Sequence, residues 1–284
     1  MRQAGSQARL FACNFLRKGR INVMNQCEII AIANQKGGVG KTTTSINLGY
    51  SLAEQGKKVL LVDCDPQSNL TMSFGIDHPD ELPITLYHLM SNIIDDDELP
   101  LISEFILSFG NLDIIPCSIE LAAIEINLVN AMSREVTLKA ILDPLRHHYD
   151  YIIIDCMPSL GMLTINALAA CDRVLIPAAP QYLSAKGLEL LLKNIMRVKR
   201  RINPGIEIDG ILITMFTERT KLSKEILTLI NEAYGSHIRI FESKIPVSVK
   251  VGEAVLNSKS IVEFDPKGKV ATAYKNFAKE YEGR

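Results

Sequence analysis

Residues 36–44, Lys-Gly-Gly-Val-Gly-Lys-Thr-Thr-Thr, concentrate phosphate chemistry in nine positions. Three glycines within four residues let backbone N–H groups converge on an anion. Lys41 adds a flexible cation for β- and γ-phosphates, and Thr42 a hydroxyl for Mg²⁺. Gly37, Gly38, Val39, Gly40, Lys41, Thr42 and Thr43 are therefore the candidate phosphate cradle. The ordinary loop pattern, Gly-x-x-x-x-Gly-Lys-Ser/Thr, asks for glycine at position 35. Gln35 stands there instead, and a second lysine, Lys36, follows it. A glycine turn that only packed a helix on a strand would need neither two lysines nor three threonines.

These residues need elements to aim them. The apolar run 29–33 reads as a buried parallel strand, and Thr43 to Leu52 as the helix after the loop. That order points free N–H groups and the positive end of a helix dipole at one spot. Lys57 to Asp63 is a second strand, ending in Asp63-Cys64-Asp65-Pro66-Gln67-Ser68-Asn69. Tyr151 to Ile154 is another, ending at Asp155. Carboxylates at the carboxyl ends of parallel strands sit on the rim where α/β sheets bind ligands. Asp155, downstream of a phosphate loop, suits a Mg²⁺-bound water beside the phosphates.

On these three motifs, in this order, residues 28–283 resemble the ParA/Soj-type partitioning ATPases. The wider family includes the regulator MinD and the nitrogenase iron protein. The resemblance implies one P-loop NTPase domain of α/β class over 26–284, a mostly parallel sheet with helices on both faces. It implies Mg²⁺-dependent hydrolysis of ATP, with ATP and Mg²⁺ as cofactors. Lys36, Lys41 and Asp65 would be catalytic: Lys36 reaches the partner's nucleotide in an ATP-dependent homodimer, and Asp65 positions the attacking water. Thr42, Asp63 and Asp155 would hold or support Mg²⁺. Residues 244–254 resemble the family segment I-P-R-x-V-R-x-x-E-A, which places Pro246 and Ser248 by the base. Non-specific DNA and a ParB-like centromere-binding protein would be partners, in a cytoplasmic, nucleoid-associated setting. DNA candidates are Arg200, Arg201, Arg219, Lys221, Lys224 and Lys250. Val247 replaces the first family arginine, and Lys250 keeps the charge of the second but loses its guanidinium fork. Met157 replaces a proline after Asp155. Gln181 and Lys186, where chromosomal relatives tend to carry Glu, look more like partition proteins of plasmids and integrative elements. The competing expectation is an ATP-gated regulatory switch that binds a protein rather than DNA.

Composition narrows the alternatives. Hydrophobic residues are 47% and charged residues 22% of 284, as in an ordinary globular chain. The longest apolar runs are strand-length, far short of a membrane span. Six cysteines form no C-x-x-C pair, which suggests neither zinc, nor a disulfide framework, nor the cluster site of the iron protein. The Asp95–Glu98 run lacks the spacing of a calcium loop. Paired His147 and His148 fall where a helix from about 134 to 147 should end, a favourable place for imidazolium. Ser118 and Ser133 are expected as helix caps. Residues 1–23 carry Arg2, Arg9, Arg17, Lys18 and Arg20 and no acid, although the whole chain is only −1. We read residues 1–25 as a basic extension, a disordered arm or upstream sequence from an early start.

Overall fold

A strand buried on both faces has no polar side, and the central strands of this chain meet that description. In the first, Ile29, Ala31 and Ala33 enter one core while Ile30 and Ile32 enter another on the opposite face. Leu60 and Val62 alternate with Val59 and Leu61 in the same way, as do Ile152 and Ile154 with Ile153. The computed structural model describes residues 27–180 and 184–284. The basic stretch 1–25, Gln181 and the Lys186 side chain lie outside the described residues.

Eight strands form one sheet: β1 (Glu28–Ile32), β2 (Val59–Cys64), β3 (Leu107–Phe109), β4 (Leu112–Ile115), β5 (Tyr151–Cys156), β6 (Arg173–Ala178), β7 (Glu207–Phe216) and β8 (Ile240–Pro246). Their order is β3-β4-β2-β5-β1-β6-β7-β8. Every pairing is parallel except β3 with β4. In chain order the helices are α1 (Lys41–Ala53), α2 (Asn69–Met72), α3 (Leu86–Ile94), α4 (Ile102–Phe105), α5 (Leu121–Asn130), α6 (Thr137–Leu142), α7 (Met162–Ala170), α8 (Ser184–Arg201), α9 (Lys221–Tyr234), α10 (Lys250–Leu256), α11 (Ile261–Phe264) and α12 (Lys269–Glu282). Residues of α3 to α9 build the core on one face, and α1, α2 and α10 to α12 the core on the other.

The expected single α/β domain, a mostly parallel sheet covered on both faces, is what the chain forms. Three local expectations change. The helix expected over 134–147 is α6 followed by a 3-10 turn, Asp143–His147, because Pro144 cannot continue the α-helical ladder. Ser133 lies at φ 53° and caps nothing; α6 begins after Val136 without a side-chain cap. The Ser118 hydroxyl donates to Glu120 at 3.3 Å instead of capping α5.

The far half of the sheet depends on one glycine. Gly210 in β7 has φ +152°, and a Cβ there would stand 2.5 Å from the Arg239 carbonyl oxygen. That carbonyl accepts the Ile211 N–H at 2.8 Å where β7 meets β8. Gly210→Ala must therefore part the two strands or strain the backbone. Its unfolding free energy, read from urea denaturation, should fall by about 2–3 kcal/mol; an unchanged midpoint would refute the close approach.

Candidate nucleotide site

The loop between β1 and α1 is pinned to two neighbouring strands and braced within itself. The Asn34 side chain donates to the Pro177 carbonyl at 2.7 Å and accepts the Lys36 N–H at 3.0 Å. The Thr214 hydroxyl, near the end of β7, donates to the Val39 carbonyl at 2.8 Å. Gly38 and Gly40 hold φ of 68° and 81°, left-handed conformations that favour glycine. Gly40 is the N-cap of α1 and offers no side-chain cap. The free N–H groups of the first turn of α1 are left for a ligand. Behind them α1 is buried from Thr44 to Leu48, so the dipole that aims these groups is rigidly seated.

Beside this turn stand two carboxylates. Asp63 and Asp155 are register partners on β2 and β5, both buried. The Asp63 Oδ2 accepts from the Thr71 N–H at 2.9 Å and the Thr71 hydroxyl at 2.7 Å, and Oδ1 from the Asp65 N–H at 3.3 Å. Asp155 Oδ1 accepts from the Ser45 hydroxyl at 3.0 Å. Asp155 Oδ2 has no hydrogen-bond partner among the described residues. A buried, unpaired carboxylate oxygen beside a phosphate loop fits a hydrated Mg²⁺. Burial pushes the Asp155 carboxyl up to about 6, with the nearby Thr42 and Ser45 hydroxyls drawing it down. Burial and then the Asp155 charge push Asp63 up to about 7.

Lys41 is buried, its Nζ 3.4 Å from the Lys36 carbonyl. Burial holds its ammonium below the usual lysine range, opposed chiefly by Asp155. Asp65, 8% exposed, turns back to accept the Gln67 N–H at 3.0 Å. Thus Gly37 to Thr43, Asp63, Asp65 and Asp155 share one edge of the sheet, as expected. Pro246 ends β8 opposite Phe216, on that same edge, with Ser248 in the turn before α10.

The DNA candidates are not brought together. Chain direction puts Arg219, Lys221 and Lys224 at the nucleotide edge, where β7 ends and α9 begins. Arg200 and Arg201 close α8, which runs to the opposite edge before β7 starts. The Lys250 ammonium is paired with Asp265 at 2.7 Å. Sequence reasoning also missed Ser45 and Thr214. Neither lies in a chemical motif, and their partners are 110 and 175 residues away.

A family model described as an AAA domain matches residues 27–208. The Bacillus subtilis sporulation initiation inhibitor protein Soj is 44% identical over 253 residues, 89% of this chain and 97% of that protein. The chain belongs to the Soj/ParA family of ATPases. The chromosome-partitioning ATPase Soj of Treponema pallidum is 39% identical over 255 residues, 90% of this chain and 97% of the relative. Among solved structures, cobyrinic acid a,c-diamide synthase of Mycobacterium smegmatis, with a bound ATP analogue and magnesium, superposes with TM-score 0.77 at 35% identity. That match covers 89% of this chain and 93% of the other. ATP and Mg²⁺ are the cofactors of a site built this way, and the orphaned Asp155 oxygen agrees with them.

The raised acids carry a stability signature. In the fold Asp63 and Asp155 retain protons at a pH where the unfolded chain has lost them. Their contribution to stability is therefore full below about pH 4 and lost as pH rises through about 6 to 7. Burial raises Glu28 and Asp209 in the same direction. Urea unfolding of nucleotide-free protein should show stability falling by a few kcal/mol between about pH 5 and 8. Asp155→Asn should flatten that slope; an unchanged slope would clear the pair of responsibility.

Proposed function

We propose that this chain is a partition switch: ATP drives two copies into a sandwich dimer that binds DNA without sequence preference. Hydrolysis, stimulated by a ParB-type centromere-binding partner, releases it. The observation that carries the reading is the meeting of the β1, β2 and β5 carboxyl ends around the free first turn of α1. In this reading the N–H groups of residues 37–43 cradle the phosphates, and Lys41 lies along the β- and γ-oxygens. Thr42 and Asp155 would hold the hydrated Mg²⁺, with Asp63 fixing the strand beside it. The metal supplies neutralisation of the phosphate charge when bound. Asp65 orients the attacking water, which needs only a small swing of the carboxylate away from the Gln67 N–H. Lys36 crosses to the partner's nucleotide, and Pro246 with Ser248 borders the base.

Lys41 with a buried carboxylate beside it makes a poor cation site until a polyphosphate arrives. Each phosphate oxygen then takes a donor already in place, so little reorganisation opposes binding. The setting we assign is cytoplasmic and nucleoid-associated; among the described residues no helix is long and apolar enough to cross a membrane. Residues 1–25 remain, in this reading, an extension outside the ATPase domain.

A second reading, a switch that binds a protein rather than DNA, is favoured by one specific observation. Lys250 is occupied by Asp265, and the other cations are divided between two ends of the sheet. Duplex DNA of random sequence separates the two. Binding with ATP, but not with ADP or without nucleotide, and falling steeply as salt rises, supports the partition reading. ATP-driven dimerisation with no DNA binding in any state would favour the protein-binding switch. Asp65→Ala should keep ATP affinity within about threefold while kcat falls about a hundredfold. Fast turnover by that variant would remove Asp65 from the mechanism.

A further inference from the structure

The loop after β5 runs from Met157 to Gly161 and leads into α7. Part of it is held locally: the Gly161 N–H donates to the Ser159 hydroxyl at 3.2 Å, and the Thr164 hydroxyl to the Ser159 carbonyl at 2.9 Å. Gly161 is the N-cap of α7 and has no side chain to accept from the free N–H groups of that helix. The missing acceptor comes from elsewhere. Glu125, in the middle of α5 and 38 residues away in sequence, takes the Leu163 N–H on Oε1 at 3.4 Å. A Cβ on Gly161 would fall 2.0 Å from that same oxygen. The carboxylate thus fills the place where a capping side chain would stand, at the position where an N-cap oxygen accepts from the second residue of the helix.

Its base is firm. Leu121, Ile124 and Leu128 of α5 are buried in the core below, at the spacing that seats one helical face. The opposite end of the loop leaves β5 two residues after Asp155, which is locked into the sheet by pairing with Asp63 and Ile32. The loop is therefore stretched between two fixed points, one on β5 and one supplied by α5. We infer that Glu125 is a positioning residue for ATP hydrolysis: by capping α7 from α5 of the same chain it holds the 157–161 loop in register with Asp155. This rests on the placement of Mg²⁺ and ATP at Asp155 argued above. On that placement the loop, which begins two residues after Asp155, stands beside the nucleotide, so a loose far end lets its backbone groups drift. Affinity, which the 37–43 cradle supplies, is left intact.

The test compares wild type, Glu125→Ala and Glu125→Gln in Mg²⁺·ATP hydrolysis and in amide hydrogen exchange of the nucleotide-free protein. Glu125→Ala should lower kcat about tenfold with KM within about twofold, since small misplacements near the chemistry cost turnover rather than binding. Glu125→Gln keeps a side-chain acceptor and should recover kcat to within about threefold of wild type. The Leu163 amide should exchange faster in the alanine variant and near the wild-type rate in the glutamine variant. Unchanged kcat in Glu125→Ala, or a parallel loss of kcat and rise of KM, would overturn the inference. Asp155→Ala, run alongside, separates the two levels. If it is inactive while Glu125→Ala is fully active, only the tether fails; if it hydrolyses ATP normally, the nucleotide placement fails and the tether with it.

Discussion

Two acidic side chains side by side in a dry sheet are the constraint on which the rest depends. Asp63 and Asp155 occupy one register position on adjacent strands, both closed off from solvent. Buried carboxylates survive only when donors surround them or when a proton or cation removes the charge. The chain uses both devices. Thr71 turns its backbone and hydroxyl toward Asp63, and the same hydroxyl accepts the Cys117 N–H, so the loop after β4 joins the arrangement. Ser45 reaches Asp155 from the second turn of α1, which fixes the phosphate helix against β5. What remains is one carboxylate oxygen without a donor, next to a helix terminus without a cap. The site is an unfinished set of interactions that a metal nucleotide completes.

Much of this was legible in the residues because function and folding wrote the same signals. The strands that carry the chemistry are central and covered on both faces, so they appear as continuous apolar runs ending in Asp63 and Asp155. The glycine loop is legible because its conformations exclude other residues. The edges were not. β8, Ile-Phe-Glu-Ser-Lys-Ile-Pro, mixes charge with apolar residues since, among the described residues, one of its sides has no neighbouring strand. β3 is three residues long and antiparallel, too short for any periodicity to show. The break after α6 hangs on a single proline within an otherwise helical pattern.

Side-chain partnerships were the least legible of all. Ser45, Thr214 and Glu125 look ordinary in sequence, and each acquires meaning only from a residue far along the chain. The basic residues teach the reverse lesson. Arg200, Arg201 and the cations of α9 looked like one functional set because they lie within 25 positions of each other. A parallel sheet sends the chain from one edge to the other between them, so proximity in sequence becomes separation in space.

The position of β1 has a consequence for how the protein comes into being. Its neighbours in the sheet are β5 and β6, whose residues lie far down the chain from it, at 151–156 and 173–178. At the pace of translation, those partners follow β1 by on the order of ten seconds. Throughout that interval Ile29, Ile30 and Ile32 have no strand to pair with, and contacts this distant in sequence form slowly. The segment that will bind the nucleotide is made well before the strands that seat it. Late pairing of an apolar strand is thus built into the topology itself.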